Sequence, residues 1–232
     1  MQNDDTNLNT NFNAALKMCG GKYTYSELLD FLKDGKIVEK QIAALELREI
    51  KSREDALVLV LNLVGQDGKV REAVAFKINE LIQNPAYESF FIDETIFDLF
   101  FQGIMDINGN VCRQIIGVIN EEFKNYLCAK LPEKIREILT QIEKLEESEK
   151  QYKISKRNFQ LYWCLESLYN ILDIIDLNAI KDILLITGEF YDYTIREKTA
   201  KILAKVDDSQ LKDLKETLMN DENYYVRRGV SM

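Results

Sequence analysis

The stretch DYTIREKTAKIL, Asp192–Leu203, decides how this chain is read. It sets an acidic residue, two fillers, a β-branched apolar residue and an arginine in a row, then continues with apolar residues at helical spacing. The frame recurs. DGKVRE stands at Asp67–Glu72, NYYVRR at Asn223–Arg228, NGNV at Asn108–Val111 and DGKI at Asp34–Ile37. Counted on the β-branched residue, the copies lie 33, 41, 84 and 31 residues apart. The longest interval is two periods of about 42, so one copy is hidden within it, and self-similarity at such a period marks stacked repeats.

Helical periodicity surrounds every copy. Val70, Val74, Ile78 and Leu81 share one helical face, as do Ile135, Ile138, Leu139, Ile142 and Leu145. No run alternates apolar and polar residues between hairpin turns, so the expected class is all-α. Thr24 with Glu27 and Ser52 with Asp55 have the form that caps a helix start. Pro132 suits the first turn of a helix, Asn84-Pro85 ends the one before it, and Gly35, Gly68, Gly109 and Gly188 mark short turns. The expected elements are six pairs: 24–34 with 37–50, 53–66 with 69–83, 93–106 with 110–130, 132–149 with 152–175, 178–189 with 193–206, and 209–220 with 224–231. With only 10 Gly and 2 Pro to break it, the chain reads as one domain over 24–232. Residues 1–23 read as a polar segment, partly disordered or forming an extra capping helix.

Composition narrows the function classes. At 46% hydrophobic and 30% charged residues the chain has enough apolar side chains for a large core. Its 39 acidic residues against 30 basic ones give a formal charge of −9, which disfavours a general nucleic-acid binder while leaving a local basic face open. Cys19, Cys112, Cys128 and Cys164 form no C-x-x-C pair and histidine is absent, which excludes zinc sites built on those spacings. The cysteines read as small buried apolar residues in a reducing compartment. No secretory signal pattern opens the chain and no apolar run reaches membrane length, so a cytoplasmic protein without a membrane partner is expected.

The physical account of the frame is structural. Asp or Asn ahead of a helix caps free N–H groups, and the Val or Ile fills the gap between the two helices of a pair. The Asp-x-x-Val-Arg frame with apolar residues four and eight positions on, as in Val70, Val74 and Ile78, resembles the HEAT-repeat family of armadillo-type α-solenoids from about Thr24 onward. Val38 and Cys112 stand where the arginine is expected in two copies, and the fourth pair lacks a clean copy. The resemblance implies a right-handed α-α superhelix of about six helix pairs, with each arginine bonded to the acid of an adjacent repeat. Asp67, Arg71, Asp192, Arg196 and Arg227 are then a structural ladder. It also implies that the second helices line a concave face that receives a partner.

Catalytic chemistry finds no anchor in the sequence. There is no histidine, no nucleophile elbow, no P-loop and no dinucleotide fingerprint. DINGN at Asp106–Asn110 starts like a calcium loop, but the sixth position is Val111 and the twelfth is Gly117. No cofactor or metal is expected. Removing the core positions leaves Phe76, Gln114, Tyr162, Trp163, Tyr169, Lys198, Lys201 and Arg228 as partner-binding candidates, with core the favoured reading for Trp163. In SFFIDETIFDLFF, Phe97, Phe100, Phe101 and Ile104 read as core, while Phe90 and Phe91 either staple the helix start or protrude. QIEKLEESEKQYK reads as a solvated helix end.

The leading expectation is therefore a non-enzymatic scaffold or adaptor that binds a protein or peptide. A second reading takes the resemblance to HEAT-like alkylpurine DNA glycosylases, with Trp163 and Asp173 beside Lys153, Lys156, Lys198 and Lys201. A third takes it to the HEAT-like subunits of bilin lyases, which handle a tetrapyrrole.

Overall fold

The computed structural model describes residues 20–145 and 150–231. Among them the regular elements are all helical, with thirteen α-helices and no strand. Most of segment 1–23, with Cys19, and the centre of the 141–153 stretch lie outside the described residues. By its contacts the chain divides into two compact units. One takes the chain up to Gly103 together with Arg113–Val118; the other takes Ile104–Cys112 and the chain from Ile119 onward.

The first unit is built from α1 (Tyr25–Asp34), α2 (Ile37–Glu46), α3 (Arg53–Val60), α4 (Gly68–Ile82), the single turn α5 (Pro85–Glu88) and most of α6 (Glu94–Ile104). Helix α1 packs on α3 and α2 on α4, with α1 on α2 and α3 on α4 across them, so the helices lie in two layers. Thr24 and Glu27 cap α1 reciprocally, and Ser52 accepts from Asp55 at the start of α3. Between the layers lie Leu32, Leu59, Val70, Val74 and Ile78, all but fully excluded from water. Phe91 is inside as well, stacked on Phe100 at 6.5 Å, so it does not protrude. Asn62 is buried, yet its amide donates to the Leu32 and Val58 carbonyls and its oxygen accepts from Lys40, so burial leaves it satisfied. Gly65, with φ of 72°, turns the chain into α4, a conformation that side-chain-bearing residues resist.

The second unit contains α8 (Glu121–Glu143), α9 (Lys150–Tyr169), α10 (Lys181–Gly188), α11 (Tyr193–Lys205), α12 (Lys212–Met219) and α13 (Tyr224–Val230). Helices α8, α10 and α12 pack in sequence as one layer, and α9, α11 and α13 as the other. Two glycines permit close approach. A Cβ built on Gly188 would stand 2.7 Å from Leu214 Cδ1, and one on Gly229 would stand 3.1 Å from Ala200 Cβ.

Two sequence expectations need correction. The expected 110–130 helix is instead α7 (Gly109–Ile116), a break, and the start of α8, which then runs straight through Pro132. Asn120 supplies the real boundary by accepting the Phe123 N–H at 3.0 Å. Proline inside a helix removes one backbone bond and crowds the preceding turn. Here that cost is offset by the continuous buried stripe Phe123, Leu127, Leu131, Ile135, Ile138 and Ile142. The second correction concerns DGKI. Asp34 ends α1 rather than capping α2, whose start is closed by Glu39 accepting the Lys36 N–H. Ile37 is accordingly 54% exposed, whereas Val70, Val111, Ile195 and Val226 are fully buried. The short match was one of letters, not of position.

Candidate functional site

The remaining copies of the frame share one geometry. Asp67, Asn108, Asp192 and Asn223 each accept the backbone N–H two residues on, at 2.8–2.9 Å. That pattern caps the helix start. The arginine then folds back over the turn that precedes its own helix. Arg71 donates to the Gln66 carbonyl, Arg196 to the Phe190 and Tyr191 carbonyls at 2.8 and 3.2 Å, and Arg227 to the Asp221 and Glu222 carbonyls at 2.6 and 2.8 Å. Where Cys112 replaces the arginine, its thiol donates to the Asp106 carbonyl at 3.2 Å, six residues back. Arg196 and Arg227 reach that same relative position.

Arg196 also reaches the next pair. Its Nε and Nη2 donate to Asp221 Oδ2 and Oδ1 at 2.7 and 3.1 Å, with about a tenth of either side chain exposed. The Arg196 guanidinium holds the Asp221 carboxyl below the usual carboxylate range, and the same bond raises the guanidinium. Asn158 on α9 reaches forward to the start of α11, donating to Tyr191 Oη at 2.7 Å and Asp192 Oδ2 at 3.2 Å.

A polar and aromatic seam follows between α9 and α11. Lys198 is 7% exposed, paired with Glu166 and placed 4.5 Å over the Tyr162 ring. Burial pushes the Lys198 ammonium down, but Glu166 and Tyr162 outweigh it and the net shift is upward. Lys205 lies 3.8 Å over Tyr169. Beyond it, Lys124 bridges Asp173 and Glu121 at 2.8 and 2.9 Å, lowering the Asp173 carboxyl. Burial raises the Cys128 thiol and pushes that of Cys164 up to about 12. These shifts hold carboxylates ionised, the lysine protonated and the thiols neutral at neutral pH. None of them makes a better base or nucleophile.

The sequence-derived candidates scatter among these environments. Phe76 on α4 is half exposed, and Gln114 accepts from Asn79 at 2.6 Å within the first unit. Tyr162, Tyr169 and Lys201 are half-buried on the seam, with Lys201 bonded to Glu197 at 2.7 Å, and Arg228 is exposed on α13. Two candidates belong inside. Trp163 is 8% exposed and packs edge-on against Phe159 and Tyr162, and Lys198 is bound up with Glu166. Asp173 lines an opening of about 400 Å³ with Lys124, Tyr169 and Lys205, and Trp163 is not among the residues that line it. The sequence reading missed Asn158, Glu166, Lys205 and Asp221. For Asp221 a signal existed, since DEN at Asp221–Asn223 repeats the DIN of Asp106–Asn108 and both aspartates accept the N–H two residues on.

Among the described residues no cluster of acidic and cysteine side chains could hold a metal ion, and no helix is long and apolar enough to cross a membrane. No known family model matches the chain, and no curated protein matches it.

Proposed function

We propose that this chain is a non-enzymatic protein-binding scaffold, an α-solenoid of HEAT-like helix pairs that presents its second helices to a protein or peptide partner. The observation that carries the reading is the repeated tie of Arg71, Arg196 and Arg227 to the turn before each one's own helix. A frame that recurs with its contacts intact is a building unit, and stacked units of this kind offer extended surfaces to partners. The direction of the titratable shifts supports the same reading, because they fix resting protonation states rather than reactive ones.

The test is affinity capture from native lysate with mass-spectrometric identification, comparing the parent with Lys201→Glu/Arg228→Glu. Arg228 is exposed and Lys201 is half-buried with its ammonium bonded, among the described residues, only to Glu197 on its own helix, so the variant should retain its helical circular dichroism. A protein captured by the parent and lost with the variant is the expected result. Nucleic acid or a coloured tetrapyrrole in place of a protein, or no retained protein at all, overturns the reading.

A further inference from the structure

Charge is distributed unevenly between the two helix layers of the second unit. Helices α9, α11 and α13 carry ten lysines and arginines against two glutamates, in a chain of formal charge −9. The layer formed by α8, α10 and α12 is nearly balanced, with seven basic residues and eight acidic ones. Part of the positive charge is spent internally, by Arg196 and Arg227 on their turns and by Lys198 on Glu166. Of the rest, Lys153 and Lys156 are exposed and Arg157 is half-buried. Lys205 and Arg228 are exposed and make no ion pair among the described residues, and Lys201, half-buried and bonded to Glu197, comes within 3.5 Å of where a Gly229 side chain on α13 would begin. Half-buried Tyr162 and Tyr169 lie under Lys198 and Lys205, and Tyr225 on α13 is 56% exposed.

Resting on the scaffold reading, we infer that the face of α9, α11 and α13 binds an acidic protein segment whose carboxylates alternate with aromatic or aliphatic residues. Carboxylates would meet Lys201, Lys205 and Arg228, and the apolar residues would lie on Tyr162, Tyr169 and Tyr225. Tyrosine and arginine are the residue types that anchor protein interfaces, and charge complementarity sets their register. Three helices packed side by side at 8–10 Å present roughly 20 Å of face, which an extended segment of about six or seven residues covers. A nucleic-acid strand fits less well. It carries a charge at every phosphate, so it would set charges against Glu166 and Glu197 on the same face and approach through the field of a net acidic chain.

The probe is an array of random 12-residue peptides, with a labelled single-stranded 20-nucleotide DNA run in parallel. Bound peptides should be enriched in Asp and Glu next to aromatic or aliphatic residues. For the best of them, polarisation titrations should show affinity falling several-fold between about 0.05 and 0.3 M salt. Lys201→Gln/Lys205→Gln/Arg228→Gln should weaken binding by about tenfold while preserving the melting temperature, and Lys69→Gln on α4 should leave binding unchanged. Peptides bound without acidic enrichment, or without loss in the triple variant, overturn the inference and leave the scaffold reading standing. Binding of the oligonucleotide in place of peptides overturns both, and an array with no bound peptide overturns the inference.

Discussion

Arg196 and Asp221 meet in a two-pronged ion pair across helix pairs, while a third nitrogen of the same guanidinium holds the Phe190 carbonyl. One side chain thus closes its own turn and fastens the following one. Truncating it strands a carboxylate that is about nine-tenths covered and frees a turn carbonyl. Arg196→Ala should therefore lower the unfolding free energy by about 2–3 kcal/mol in urea titrations. Arg196→Lys, which cannot reproduce the fork, should recover less than half of that. A loss under about 0.5 kcal/mol for the alanine variant would show the pair to be incidental.

Acid should act through the same carboxylate. The folded-state pKa of Asp221 is depressed by Arg196, so its contribution is present above the ordinary Asp value of about 3.9 and is lost as pH falls through the folded value. Asp182, held by Arg136, behaves in the same direction. Stability measured from about pH 6 downward should hold to roughly pH 4 and then fall. Asp221→Asn should be less stable at neutral pH and show a shallower fall below pH 4. A parallel pair of curves would contradict the assignment.

Packing distinguishes one glycine from another. Gly188→Ala and Gly229→Ala place a methyl group against Leu214 and against Ala200 and the Glu197 carbonyl, and each should cost about 1–3 kcal/mol. Gly68 opens α4 with no atom near its would-be Cβ, so Gly68→Ala should be neutral or stabilising by up to about 1 kcal/mol. Thermal unfolding of the three variants gives the order directly.

Thiol chemistry should be slow where burial is complete. With Cys19 and Cys128 replaced by serine, Cys112 and Cys164, both fully buried, should resist a disulfide reagent until the protein unfolds. Cys164 is protected twice, since its thiol is pushed up to about 12. Labelling of Cys164 in seconds under native conditions would place it on a mobile part of the fold.

The helical class and the helix starts at Thr24, Ser52, Asp67, Asp192 and Asn223 were legible because capping is a local matter of side chain and nearest N–H groups. Pro132 was not, since whether a helix tolerates proline is decided by the tertiary stripe it carries. DGKI at Asp34 deceived for a similar reason: which residue of a turn becomes the cap depends on where the previous helix stops. Among the candidate site residues, Lys198 read as solvated because a charge on a helix has no partner in a one-dimensional pattern. Glu166, the residue that draws Lys198 inward, is 32 positions away. Asn158 left no trace at all, since it belongs to no copy of the frame.

The arginine ties span only five or six residues of sequence. Closing so short a loop takes little from chain entropy, and contacts of this range form early in folding. Each turn can be knotted while the polypeptide beyond it is still being synthesised, without waiting for a neighbour to dock.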